Sequence, residues 1–171
     1  MRTSREKGFT LIELHVVIAI IGILSTLAVV ALNSARQKSR DSKRVADIKQ
    51  MQTALELFFS DANGYPYMGA SAVTLGSASY KSLCKDNPTT VAGAVYKASC
   101  AGTDTTYMGL VPQAPTPEDG TCTSSNNPYL FTSVGGSASA FSTGYTIAFC
   151  LGGQVGDLAS GAHTASPNGI Q

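Results

Sequence analysis

Phe9–Leu32, FTLIELHVVIAIIGILSTLAVVAL, is a run of 24 residues that carries a single carboxylate, Glu13, near its start. At about 1.5 Å of helical rise per residue the run covers roughly 36 Å, enough to cross the hydrocarbon core of a bilayer. Ahead of it, Met1–Gly8 is short and basic, with Arg2, Arg5 and Lys7 against Glu6. Such a flank stays on the cytoplasmic side. A secretory signal has the same order of parts. This run is longer than a usual signal core, however, contains an acid, and passes without a turn signal into a polar helix. A small-residue cleavage site around Ala31–Ala35 is the alternative.

A carboxylate inside a membrane span costs about 2.5–3.5 kcal/mol on insertion scales. Glu13 is therefore either functional or close enough to the edge of the span for water to reach it. If the chain is cut behind Gly8, a cationic amine appears on Phe9. Glu13 is then placed to neutralise the amine of a neighbouring copy, or partly its own, beside the positive end of the helix dipole. In a low dielectric such a pair sets register between packed helices. His15 is two residues away, so it does not face Glu13 on the same helix. The simpler reading is an amphipathic neutral ring at the membrane edge; the sharper one is a pH-sensitive partner for a neighbour's Glu13.

Lys7-Gly8-Phe9-Thr10-Leu11-Ile12-Glu13-Leu14, continued by Val16–Leu24, resembles the class III signal of type IV pilins and type II secretion pseudopilins. The resemblance covers residues 7–32. It implies that prepilin peptidase cuts between Gly8 and Phe9 and methylates the new Phe9 amine. It also implies that Glu13 contacts the N-terminus of the preceding subunit, and that a cytoplasmic ATPase and a polytopic platform protein drive assembly. The sequence departs from the family pattern at His15, where an apolar residue is usual, and in lacking a proline further along the span.

Asn33–Ala62 continues as a helix that becomes amphipathic. Val45, Ile48, Met51, Leu55 and Phe58 recur at helical spacing with Phe59 beside them, while Asp47, Lys49, Gln52 and Glu56 lie off the stripe. The stripe reads as a seam against a sheet. Asn63-Gly64-Tyr65-Pro66 is a helix stop, with Asn or Gly for a left-handed cap and Pro beyond it. Arg36, Lys38, Arg40, Lys43 and Arg44 cluster past the span. They read as a solvated collar in preference to a nucleic-acid site, since no aromatics interleave them and no DNA-binding motif surrounds them.

Residues 63–171 form a second region, with three Lys or Arg against five Asp or Glu. Cys84, Cys100, Cys122 and Cys150 all lie here, without the close pairs of a zinc site. In an exported head an even count reads as two disulfides. Three pairings are possible, and sequence proximity favours Cys84–Cys100 with Cys122–Cys150. Tyr129–Val134 and Tyr145–Leu151 are expected strands, joined through a Ser133–Gly144 loop, with Tyr145, Ile147, Phe149 and Leu151 on one face. Residues 67–106 read as a loop-rich stretch, and Pro112, Pro115 and Pro117 as an irregular approach to the sheet.

The resulting expectation is an α+β, pilin-like ladle. Residues 1–8 are a removed leader, 9–32 a membrane-spanning and polymerising helix, 33–62 its amphipathic continuation, and 63–171 a disulfide-stabilised head. Neither His163 with Asp157 nor Glu118 with Asp119 has metal-ligand or acid–base spacing. Glu118-Asp119-Gly120 reads as a turn. The pseudopilin resemblance, some of whose members bind calcium in a C-terminal loop, makes Glu118, Asp119 and Asp157 testable for calcium, but no metal, cofactor or catalytic residue is expected. The predicted role is a filament subunit, held in the inner membrane before assembly into a surface or periplasmic fibre. A type IV pilus subunit comes first and a secretion pseudopilin second, with a single-pass binding module that never polymerises as the third reading.

Overall fold

The computed structural model describes residues 8–86 and 95–171. Helix α1 (Leu11–Ala62) is followed by β1 (Val73–Thr74), β2 (Ser82–Lys85), β3 (Tyr96–Lys97), β4 (Thr105–Met108), β5 (Leu130–Val134), β6 (Gly144–Leu151), β7 (Gly161–Ser166) and β8 (Gly169–Ile170). All strand pairings are antiparallel, so the fold is α+β. The chain divides after Arg36 into two units.

In the first unit α1 presents apolar side chains on every side. An 18-residue window of the helix has mean hydropathy 2.6, and none of it is buried among the described residues. A helix at the core of a globular domain would be covered; this one is not. Its two hydroxyl side chains in the apolar run bond inward. Ser25 Oγ donates to the Ile21 carbonyl at 2.7 Å and Thr26 Oγ1 to the Ile23 carbonyl at 2.8 Å, which removes their need for water.

The second unit carries its own core. Ile48, Met51, Leu55 and Phe58 of α1 are buried, with Val45 and Phe59 partly so, as the helical spacing predicted. They meet a five-stranded sheet in the order β1-β5-β6-β7-β8. In β6 the alternation places Tyr145, Ile147, Phe149 and Leu151 inward, each at most 1 % exposed. Phe131 of β5 lies opposite Ile147, and Ser133 opposite Tyr145. Aromatic contacts extend from Tyr96 through Phe131 to Tyr145 and Tyr65.

The helix ends as its sequence signals. Asn63 takes a left-handed φ of 54°, and its N–H donates to the Phe59 carbonyl at 2.8 Å. Gly64 follows because the chain then passes hard against the β5–β6 loop: a Cβ there would lie 2.5 Å from the Phe141 Cβ. Tyr65 and Ser142 exchange backbone hydrogen bonds beside it.

One expectation is refined and one needs correction. Residues 67–106 are loop-rich, and they also contribute β1 and, with β4 running on to Met108, a separate three-stranded sheet, β3-β2-β4, with Cys84 buried in β2; residues 87–94 of that stretch lie outside the described ones. These strands are two to four residues long, and β2 buries three residues in a row, so no alternation marks them. Asp47 was placed off the buried stripe, yet it is only 6 % exposed. The tyrosine that faces it, described below, explains how the carboxyl is accommodated.

Candidate functional site

Gly8, Phe9 and Thr10 precede the helix and are exposed, Phe9 at 86 %. Thr10 is the helix cap. Its N–H and hydroxyl donate to Glu13 Oε2 at 2.8 and 2.9 Å, while the Glu13 N–H donates to Thr10 Oγ1 at 3.2 Å. This is the reciprocal capping box of a T-x-x-E sequence, which satisfies donors that every helix start leaves open. Within a single chain, the lone acid of the apolar run therefore already has a task. His15 Nδ1 lies 2.9 Å from the Leu11 carbonyl, one turn back on its own helix. Residues 1–7, the rest of the expected leader, lie outside the described ones.

A second charged assembly sits where α1 enters its core. Arg40 grips Asp119 with two donors, Nε to Oδ2 at 2.5 Å and Nη2 to Oδ1. Arg44 is fully buried. It donates to Asp41 at 2.6 Å, to the Asn127 side chain at 2.8 Å and to the Pro115 carbonyl at 3.2 Å, with Asp119 3.6 Å away. Asp41 in turn accepts the backbone N–H groups of Gly152 and Gly153 at 2.9 and 2.8 Å. Asp47 accepts from the Tyr129 hydroxyl at 3.0 Å.

Electrostatics follow from these partners. The Arg40 hydrogen bond holds the Asp119 carboxyl below its usual range, against a smaller opposing effect of burial. Burial pushes the Asp47 carboxyl up, offset in part by Tyr129. It also pushes the Tyr129 hydroxyl up, with Asp47 adding to the effect. Burial and Glu56 raise Tyr65 to about 12.

The solvated-collar reading therefore holds only in part. Arg36, Lys38 and Lys43 are exposed, but Arg40 and Arg44 are committed to carboxylates inside the head. The three-residue spacing of Asp41 and Arg44 suits pairing on one helix; nothing in the sequence pointed to partners at residues 115–127. The capping box, by contrast, was readable from Thr10 and Glu13. Glu118-Asp119-Gly120 does turn the chain, with the Cys122 N–H donating to the Asp119 carbonyl at 2.9 Å. The Asp119 side chain, however, faces arginine and is not placed to hold calcium. Among the described residues no group of three or more His, Cys, Asp or Glu could hold a metal ion. His163 has carbonyl oxygens of Ala159 and Gln171 at 2.7 and 3.2 Å from its ring nitrogens, not Asp157. Disulfides join Cys84 to Cys100 and Cys122 to Cys150. The second ties the loop that carries Asp119 to β6.

One uncovered apolar helix, a capped acid at its start and a disulfide-bonded antiparallel head define the class: an α+β chain with, among the described residues, a single candidate membrane span. Residues 3–29 match the family described as the prokaryotic N-terminal methylation motif. The type II secretion system core protein G of Aeromonas hydrophila is 42 % identical over 66 residues, which is 39 % of this chain and 46 % of that protein. Its counterpart in Escherichia coli K12 is 41 % identical over 64 residues, 37 % of this chain and 44 % of the other. The type IV major pilin protein PilA of Myxococcus xanthus is 41 % identical over 69 residues, 38 % of this chain and 31 % of that one. The chain thus spans less than half the length of these curated relatives. No solved structure matches it.

Proposed function

We propose that this chain is a structural filament subunit, cut by a prepilin peptidase between Gly8 and Phe9, methylated on Phe9, and polymerised through α1. One observation carries the reading: an apolar helix with the methylation motif at its start has no part of its hydrophobic window covered by the described residues of its own chain. Such a surface is stable in lipid or against other copies of itself, and not in water. The precursor waits in the inner membrane as a single-pass protein, and an assembly ATPase with a platform protein supplies the work of extraction. On cleavage, Glu13 exchanges part of its bonding to Thr10 for the amine of a neighbouring Phe9. This exchange neutralises both charges inside the polymer.

A type IV pilus subunit is the first reading, supported by the low-charge, Ser- and Thr-rich head and by the likeness to a major pilin. A secretion pseudopilin is the second, supported by the likeness to core proteins G. Mass spectrometry of the N-terminal peptide, from membranes and from sheared surface material, tests both. The expected peptide starts at methylated Phe9. Its presence in sheared fibres favours the pilus, and its confinement to the cell envelope favours the pseudopilin. A start beyond Ala31, or an intact Met1, would overturn the polymer reading.

A further inference from the structure

Two exposed features of the head carry opposite charge and lie on different flanks of α1. On one flank Lys43, Gln50, Lys81, Leu110, Val111 and Pro112 line an open groove of about 560 Å³. Leu110 is 75 % exposed there, and both lysines are exposed. On the other flank the β6–β7 turn, residues 154–158, is closed by reciprocal hydrogen bonds between Val155 and Leu158 at 2.9 and 3.1 Å. Gly156, with φ 58°, makes the bend, and Asp157 stands exposed at its tip. Among the described residues, none of Lys43, Lys81 and Asp157 lies within ion-pair distance of an opposite charge.

The helix separates the two features. Each residue advances about 100° round the axis. Lys43 and Gln50, seven apart, therefore share one side. Asp41 and Gln52, eleven apart, share another, roughly 200° away from Lys43. Asp41 holds Gly152 and Gly153 at the root of the turn, and Gln52 Nε2 donates to the Ser166 carbonyl at the end of β7 at 2.9 Å. A cationic, part-apolar groove and an anionic tip on different flanks cannot pair within one copy. Repeated between copies, a contact of two unlike patches is heterologous and generates a ring or an open helical filament.

We propose that the Asp157 turn of one copy seats in the Lys43–Lys81–Leu110 groove of the next. The inference rests on the polymer reading and adds the head surfaces that set the order of subunits. An exposed ion pair contributes little strength by itself. Its part is to select the correct flank and reject like-charged approaches, while the groove covers Leu110. Anionic lipid headgroups would also suit two lysines, but they would make no use of Asp157.

The test uses the full chain in cells that make the fibre, with Lys81→Glu, Asp157→Lys and the double exchange. All three variants must form both disulfides, judged by mobility without reductant, so that fibre yield reports assembly and not folding. Each single change is expected to reduce sheared or cross-linkable polymer several-fold, and the double exchange to restore it. Lys81→Cys with Asp157→Cys is expected to yield an oxidation-dependent ladder of cross-linked copies. Wild-type yield from both single variants, or a loss confined to Lys81→Glu, would overturn the pairing while leaving the polymer intact. If the unsubstituted chain itself stays monomeric, the polymer reading fails and the pairing falls with it.

Discussion

The two units of this chain reach stability by opposite means. From Leu11 to Arg36 the helix satisfies its backbone and its hydroxyls internally but leaves its apolar side chains uncovered: Ile12, Leu27 and Val30 are 74 %, 64 % and 70 % exposed. From Gln37 onward the same helix is half of a closed core, with Ile48, Leu55 and Phe58 wholly buried and its arginines committed to partners in the head. Among the described residues the first unit leaves its apolar surface uncovered, which the proposed filament would cover from outside, whereas the second closes a core of its own. A change in the first should therefore register in assembly, and a change in the second in folding.

The largest effect should come from Arg44→Ala. It strands buried Asp41 without its cation, a change that costs about 3–5 kcal/mol in comparable buried pairs. Thermal unfolding of the chain in detergent, followed by the head's aromatic signals, should show it. Unchanged melting would mean that the ion network contributes nothing to the closed unit. Next comes loss of the Cys122–Cys150 bond through Cys122→Ser with Cys150→Ser. Removing a native disulfide from a small exported domain costs about 2–5 kcal/mol, and the loop bearing Asp119 should become cleavable by added protease.

Acid should separate two carboxyls of opposite sign. The folded value for Asp119 is lowered, so its contribution is full above the unfolded carboxyl range, about 3.9, and is lost as pH falls through the lower folded value. Asp47 is raised, so its contribution is full below that range and is lost as pH rises through the folded value. Asp119→Asn should flatten the acid limb of a stability–pH curve. Asp47→Asn should flatten the limb just above it; identical curves for the two variants would contradict the assignment. The smallest effect on the head belongs to Glu13→Ala. Loss of this side of the capping box weakens the helix start and should leave the head's melting unchanged while assembly is impaired. A lower head melting temperature in that variant would break the division between the units. His15→Leu, with only a bond to its own helix removed, should leave assembly intact.

Legibility in the sequence followed the same division. The apolar helix, its acid, the Asn63 stop and the buried stripe are all patterns of residues close in sequence, where periodicity and capping act. β6 was readable for the same reason, since alternation spans most of it, and β5 as a short run rich in apolar and β-branched residues between turn signals. What escaped depends on contacts between distant positions. Arg44 meets Asn127, and Asp47 meets Tyr129, across more than eighty residues; a charged residue that is buried by a remote partner looks identical in sequence to one in water. The strands β2, β3 and β4 escaped because they are too short for a period to show. Glu13 was recognised as unusual, yet its bond to Thr10 was missed, although the T-x-x-E spacing was present.

The linkage through Asp41 has a mechanical consequence. In the proposed filament, tension passing along α1 beyond Gln37 first meets Arg40 and Asp41, which hold Asp119 and the N–H groups of Gly152 and Gly153. Asp119 lies three residues from Cys122, and the Cys122–Cys150 bond returns that load to β6, as does Gly152 directly. The pull is thus delivered by parallel routes to the middle strand of the five, which has a hydrogen-bonded neighbour on each side. Bonds loaded together yield later than bonds peeled one at a time, so a head of modest size can resist being drawn off its own helix.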